Sequence, residues 1–362
     1  MRSKIDVLVV GLGPAGASAA RAAALADASV LAVERRRVVG VPVQCAEFVP
    51  LPMGRYALAA DAVRQRIDAM TTILPSGEKV VSDFPGIMID RTSFDQALAA
   101  AARQAGAEGL LATALVGIDA ARSVATVRRA GQLWQLGYGV LVAADGPLSR
   151  VGASLGLPPL ETVATRQYSV PLLRRHAHTD VFLSADYPGG YAWLFPKGDV
   201  ANLGVGMDAG LAPDLKTPLD RLHSQLAGRG LVGTEILGRT GGPIPVGGPR
   251  AALAVGNVLF AGDAAGLTHP VTGAGIAAAV LSGEAAGSGA ARFLAGEAGA
   301  LAEYEADIRD QFGTALARAV ARRRWMTQFW KRPEARADAM QRRGWIAFPE
   351  YFDEPPELDL AA

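Results

Sequence analysis

The sequence predicts an α/β fold: a doubly wound, Rossmann-like domain, an antiparallel β-sheet domain inserted into it, and C-terminal helices. Three observations predict it. The apolar, β-branched run 5–10 leads straight into a glycine turn and an alanine-rich helix. Two later apolar strands, 141–145 and 258–261, run into the pairs Asp145-Gly146 and Gly262-Asp263. Between them lie stretches that alternate like half-buried antiparallel strands, at 165–173, 180–184, 191–195 and 202–206.

Composition bounds the rest. Among 362 residues, 36 Lys and Arg nearly balance 35 Asp and Glu, and half the chain is hydrophobic. That excludes a disordered chain and gives no overall pull toward nucleic acid. One cysteine excludes an internal disulfide and a cysteine-built zinc or iron–sulfur centre within one chain, and no metal is expected. A mean hydropathy of +0.20 raises the question of a membrane span. The best runs, 7–33 and 271–302, are broken by Arg21, Asp27, Glu284 and Glu297 and are rich in glycine. Both fit a buried α/β core better. With no secretory signal at 1–6, the cytoplasm is the expected location.

The turn after the first strand reads Gly11-Leu12-Gly13-Pro14-Ala15-Gly16, with helix expected over 17–26. Gly11 permits the tight turn, Gly13 lets backbone approach a pyrophosphate, and Gly16 lets helix pack on strand. The helix N-terminus then faces the pyrophosphate with free N–H groups and a favourable dipole. A second strand, 29–33, ends at Glu34, 23 positions after Gly11, followed by Arg35. A carboxylate there accepts hydrogen bonds from ribose hydroxyls and repels a 2′-phosphate.

The later motifs specify the dinucleotide. Asp145-Gly146 and Gly262-Asp263 resemble the central and late aspartate–glycine motifs of FAD-dependent oxidoreductases of the glutathione-reductase or p-hydroxybenzoate-hydroxylase type. The resemblance implies FAD, with Asp263 on the ribityl chain; otherwise Asp263 is a helix N-cap. The helix from Gly273-Ala274-Gly275 onward would aim its N-terminus at the flavin pyrimidine ring. The segment 91–98 also matches these flavoproteins. Arg91 either approaches the flavin phosphate or ribityl region, or is a surface residue paired with Asp95.

Three segments narrow the resemblance. They are Pro42-Val43-Gln44-Cys45-Ala46-Glu47; Tyr191-Ala192-Trp193-Leu194-Phe195-Pro196 with Asn202-Leu203-Gly204-Val205-Gly206; and Pro270-Val271-Thr272-Gly273-Ala274-Gly275-Ile276. Together they resemble the geranylgeranyl reductase family over about residues 5–290. The resemblance implies reduction of isolated C=C bonds in an isoprenoid chain by hydride from reduced flavin. Tyr191, Trp193 and Phe195 alternate, so they share one face, either lining an apolar substrate channel or covering ordinary core. The turn of this hairpin is expected at 196–199. By resemblance Cys45 lies near the flavin, as a proton donor or a tuning group, with an inert buried thiol as the bland alternative. Glu47 is placed to shape the same site.

His269 departs from the family pattern. A histidine there would donate a proton or hydrogen-bond a substrate oxygen. It is similar to flavin monooxygenases, which hydroxylate aromatic rings through a C4a-hydroperoxide, on a small molecule or a partner protein. A non-catalytic flavin electron carrier is the third alternative. No second glycine fingerprint appears, so the electron donor stays open among NAD(P)H, ferredoxin and free reduced flavin.

The expected division is 1–150 with 246–300 for FAD, 151–245 for an apolar substrate, and 301–362 for outer helices and tail. In the last part, Arg318, Arg322, Arg323, Arg324, Lys331 and Arg332 interleave with Trp325, Phe329 and Trp330. Such a helix either lies on an anionic membrane surface or docks on the domain with its arginines solvated. The acidic tail beyond it offsets the basic stretch.

Overall fold

The computed structural model describes residues 5–330 and 332–353. Ile5–Val10 is apolar except for Asp6, so it can be buried on both faces. It lies centrally in a sheet ordered Ala254–Val255, Val258–Phe260, Gln132–Ala143, Ile5–Val10, Val30–Val33 and Glu108–Leu110. Every pair but the outermost, 254–255 with 258–260, is parallel. The strand expected at 141–145 is the end of a longer one. Its first half pairs with Val124–Arg129 in an antiparallel ribbon, where polar side chains interrupt the apolar signal.

The helices in chain order are α1 (Pro14–Leu25), α2 (Arg91–Gln104), α3 (Arg150–Ser154), α4 (Lys216–Gly228), α5 (Ile276–Leu294), α6 (Ala300–Thr327) and α7 (Asp338–Gly344). Helix α1 starts earlier than expected because Pro14, which lacks an N–H, suits the first turn. Helices α1 and α5 cross with their backbones in contact. A Cβ added at Gly283 or Gly287 would lie 2.2 Å from the carbonyl oxygens of Ala15 and Ala19. The alanines that raise the mean hydropathy thus serve close helix packing, which the glycines permit. Among the described residues no helix is long and apolar enough to cross a membrane.

A second sheet runs Gly238–Thr240, Thr162–Pro171, Val200–Met207, Tyr191–Lys197, His178–Phe182, Ala69–Ile73 and Lys79–Ser82. The last two strands come from inside the segment expected to be purely FAD-binding. Ala69–Ile73 joins by parallel pairing with His178–Phe182, a contact across more than a hundred residues that local periodicity does not encode. The hairpin turn is tighter than expected, since Pro196 and Lys197 are still in the strand. Proline is tolerated there because the neighbouring strand pairs only as far as Leu194.

The C-terminal segment docks. Trp325, Phe329, Arg322 and Arg323 are all buried, so the aromatics of the basic stretch face inward, and two of its arginines are not solvated. Their guanidiniums donate to backbone oxygens, Arg322 Nε to Tyr351 at 2.9 Å and Arg323 Nη1 to Gly189 at 2.6 Å. Arg318, Arg324 and Arg332 remain exposed. Lys331 and the tail from 354 lie outside the described residues.

Candidate active site

The glycine turn has the shape expected of it. Gly11 adopts φ +99° and its N–H donates to the Val33 oxygen at 2.8 Å. A Cβ on Gly16 would lie 1.9 Å from the Gly11 oxygen, whereas one on Gly13 would meet nothing within 4 Å. Gly13 therefore presents open space beside the start of α1, which has no side-chain cap and no acid in its first turn. Pro14 and Ala15 continue the cradle into the helix. Glu34 Oε2 accepts from Leu12 N at 2.9 Å and Oε1 from Arg36 N at 2.8 Å, which fixes the carboxylate against the turn. Arg35 points to the exterior.

Two carboxylates continue the cleft. Asp145 Oδ2 accepts from Val151 N at 3.0 Å, but Oδ1 is buried with no partner. Burial pushes the pKa of this carboxyl up. Asp263 Oδ1 accepts the Thr268 hydroxyl at 2.6 Å and caps no helix. Burial raises its pKa too, with Arg91 acting against the rise. Gly275 begins α5 without a side-chain cap. Arg91 holds Asp95 through two 2.9 Å hydrogen bonds, as the second description expects, but it is half-buried and not a surface residue, and its charge acts on Cys45 and Asp263. An open glycine cradle, an orphaned buried acceptor at Asp145 and two uncapped helix starts fit a dinucleotide with a polyhydroxyl linker. FAD is such a molecule.

Beyond this cleft lies a cavity of about 290 Å³ whose wall includes Cys45, Tyr191, Trp193, Phe195, His269 and residues Gly273 and Ala274. The three aromatics do share one face, and the partner strand makes room for them. Trp193 stands opposite Gly204, where an added Cβ would come 2.3 Å from the indole. Trp193 Nε1 donates to Gln167 Oε1 at 3.1 Å, and the Tyr191 hydroxyl donates to the Thr272 oxygen. Trp345 and Ile346 complete the wall from the C-terminal segment. That segment was expected only on the outside; no periodic signal marks these residues as lining.

The segment carrying Cys45 is clamped. Thr240 Oγ1 donates to Val43 O at 2.6 Å, Gln167 Nε2 to Cys45 O at 3.0 Å and Asn202 Nδ2 to Ala46 O at 3.1 Å. Glu47 has φ +70° and is buried. Its carboxylate takes Lys197 Nζ and Asn202 Nδ2 at 2.8 Å and Arg91 N at 2.9 Å. Lys197 and Asn202 stand in or beside the quoted motifs, yet only the fold shows that they converge on Glu47.

The titratable groups of the wall differ. Burial pushes the Cys45 thiol above its ordinary range, and Arg91 only partly offsets this, so the group stays protonated at neutral pH. Burial pushes His269 down to about 4. Its Nδ1 accepts from Thr272 N at 3.2 Å, which leaves the proton on Nε2. Neutral His269 keeps one ring N–H, on Nε2, with which it can hydrogen-bond a substrate oxygen. Burial also raises the Tyr191 hydroxyl far above its usual value.

Comparisons with known proteins agree with this geometry. Residues 6–136 match the family model described as FAD dependent oxidoreductase. A digeranylgeranylglycerophospholipid reductase from Methanocella arvoryzae is 35% identical over 343 residues, covering 87% of this chain and 86% of the relative. The chain belongs to the geranylgeranyl reductase family. A second member, digeranylgeranylglycerophospholipid reductase 1 of Methanopyrus kandleri, is 37% identical across 78% of this chain and 80% of its own. The crystal structure of a geranylgeranyl bacteriochlorophyll reductase-like protein from Thermoplasma acidophilum superposes with a TM-score of 0.83 at 27% identity, covering 90% and 88% of the two chains. Like the rest of its family, this chain is an FAD-dependent oxidoreductase.

Proposed function

We propose that this geranylgeranyl-reductase-family protein saturates carbon–carbon double bonds of an isoprenoid chain carried by a lipid-like substrate. The observation that carries this is the cavity wall: three aligned aromatics and the Cys45 thiol line it beside the dinucleotide cleft, and only Glu47 and Arg323 among the lining residues are charged. The Glu47 carboxylate is already held by Lys197 and Asn202. An unactivated alkene offers nothing to hydrogen-bond, so it favours a dry apolar wall.

Gly11, Gly13 and Gly16 would hold the pyrophosphate of FAD, Glu34 its ribose, and Asp145 and Asp263 its polyol linker. Bound FAD, once reduced, supplies the hydride. Tyr191, Trp193 and Phe195 flatten the chain against the cleft and exclude water. Cys45 holds the proton at Sγ and delivers it to the second carbon of the double bond. The clamp through Glu47, Gln167 and Asn202 fixes that thiol in position. Neutral His269 keeps the loop at 270–272 in place through its Nδ1.

The test is anaerobic photoreduction of the FAD-loaded protein, followed by a geranylgeranyl-bearing lipid. The expected result is flavin reoxidation with one H₂ gained per reduced bond. Reoxidation only by oxygen, with a hydroxylated aromatic product, overturns the proposal. Cys45→Ser should keep its FAD and lose at least about 100-fold in reoxidation rate. Wild-type rate should hold across neutral pH and fall only above the ordinary thiol range as the thiol ionises; a fall centred near neutral pH would exclude Cys45 as donor.

A further inference from the structure

The aromatic row on the cavity wall does not end at Tyr191. Successive ring centroids lie 6.1 Å apart from Phe48 to Phe195, 6.5 Å from Phe195 to Trp193, 5.6 Å from Trp193 to Tyr191 and 4.9 Å from Tyr191 to Trp345. The first four residues stand on paired strands. Trp345 follows directly on α7 and reaches the row only because the C-terminal segment docks. Gly344 permits that close approach: a Cβ added there would lie 2.8 Å from Met326 Sδ of α6.

Trp345 also lines a second space. Next to the cavity of about 290 Å³ is a smaller chamber of about 40 Å³, whose remaining walls include Leu183 of the second sheet's side and Met326, Trp330 and Gln341 of the C-terminal segment. The two spaces share Gly189, Gly190, Tyr191, Val271, Arg323 and Trp345. Gly189 and Gly190 offer only backbone, so Tyr191 and Trp345 supply the aromatic bulk of the shared wall. The Arg323 guanidinium is engaged elsewhere: Nη1 donates to the Gly189 oxygen at 2.6 Å, and Nε and Nη2 lie 3.8 and 3.6 Å from the carboxylates of Glu161 and Asp208. The two aromatics are held differently. The Tyr191 hydroxyl donates to the Thr272 oxygen, whereas the buried Trp345 Nε1 has no hydrogen-bond partner among the described residues. Packing alone holds the indole in place.

We propose that Trp345 sets the longest isoprenoid chain the site accepts, by standing as a partition between the cavity and the far chamber. The proposal rests on the prenyl-chain reading of the cavity. Gln167 holds both the Cys45 carbonyl and the Trp193 indole, which places the thiol segment beside the middle of the row. A chain whose reacting bond lies there and which runs on past Tyr191 meets the Trp345 indole and stops. Removing the indole joins the two spaces and gives the chain a largely apolar way on. Hydrocarbon offers no polar group to select, so volume alone discriminates: each further methylene finds space or is refused.

The test is single-turnover reoxidation of the photoreduced, FAD-loaded protein by lipids that differ only in prenyl chain length, from geranyl through farnesyl and geranylgeranyl to longer chains. Wild type should show a length beyond which the rate falls steeply. Trp345→Ala should raise the rate on the first refused length, relative to the accepted ones, by about tenfold or more. FAD content should be unchanged. Trp345→Leu keeps apolar bulk in the wall and serves if the alanine variant fails to fold; it should move the limit the same way by less. Trp330→Ala widens the far chamber without touching the partition and should leave the limit where it was. A wild type indifferent to length, Trp345 variants with the wild-type limit, or a limit moved by Trp330→Ala alone would overturn the proposal. If no prenyl lipid of any length reoxidises the flavin, the reductase reading fails. Binding of the same lipids, read from the shift in flavin absorbance, then applies the same length test to Trp345, and lipids that neither react nor bind would overturn both.

Discussion

The glycine turn and the aromatic cavity belong to one site but are built on different scales. In the turn, Gly11, Gly13 and Gly16 act within one strand–helix junction, and Glu34 joins them from the next strand. The cavity gathers Cys45, Gln167, Trp193, His269 and Trp345 from across 300 residues. The turn needs space and bare backbone. The cavity needs a scaffold that holds distant side chains together, and buried Glu47 clamped by half-buried Lys197 is that scaffold. A local device fails through one atom, whereas a distributed one loses stability contact by contact.

The largest effect should come from the turn. Gly16→Val drives a side chain into the Gly11 carbonyl, and the protein should purify without flavin absorbance. Retained FAD would show that the turn can relax, and would break the contrast. Next is the clamp. Lys197→Met removes one partner of a buried ion pair and should cost about 3–5 kcal/mol in denaturant unfolding. Adding Glu47→Leu should return part of that loss, because the buried carboxylate is then gone and only the more exposed Asp90, 3.3 Å from Lys197, loses its partner. A cost equal to that of an exposed pair would make the clamp incidental.

A smaller, pH-dependent effect should come from His269. Its pKa is about 4 in the folded chain, against about 6.5 when unfolded. The unfolded state therefore binds more protons between those values, and stability falls as pH drops from 6.5 toward 4. The full loss is at most about 3 kcal/mol. His269→Gln should flatten this slope; an unchanged slope would place the titration elsewhere. The smallest expected effect is that of Tyr191→Phe, which removes one hydrogen bond to Thr272 and should cost about 1 kcal/mol, measured as a shift in unfolding midpoint.

Legibility in the sequence follows the same division. Motif residues such as Asp145, Asp263 and the 191–195 aromatics could be named because their spacing is short and their chemistry specific. Lys197 and Asn202 were visible as letters, but their shared partner Glu47 lies about 150 residues away. The basic stretch around Arg322 suggested solvated arginines, because sequence alone shows charge but no carbonyl oxygens at Tyr351 and Gly189. Trp345 is the hardest case: it begins a short irregular aromatic segment, 345–352, that has no period to reveal its contact.

By itself the sequence determined the strand–turn–helix unit, the acid at Glu34, the two strand-end aspartates and the common face of Tyr191, Trp193 and Phe195. These follow from local sterics and from the two-residue period of a strand. The tertiary structure alone decided that Ala69–Ile73 joins the second sheet, that Glu47 is the hub of the clamp and that His269 is buried, which favours its neutral form. It also decided that Trp345 ends the aromatic row. Each of these depends on which distant groups lie within a few ångströms and how much water they exclude, and that is set only when the chain has closed on itself.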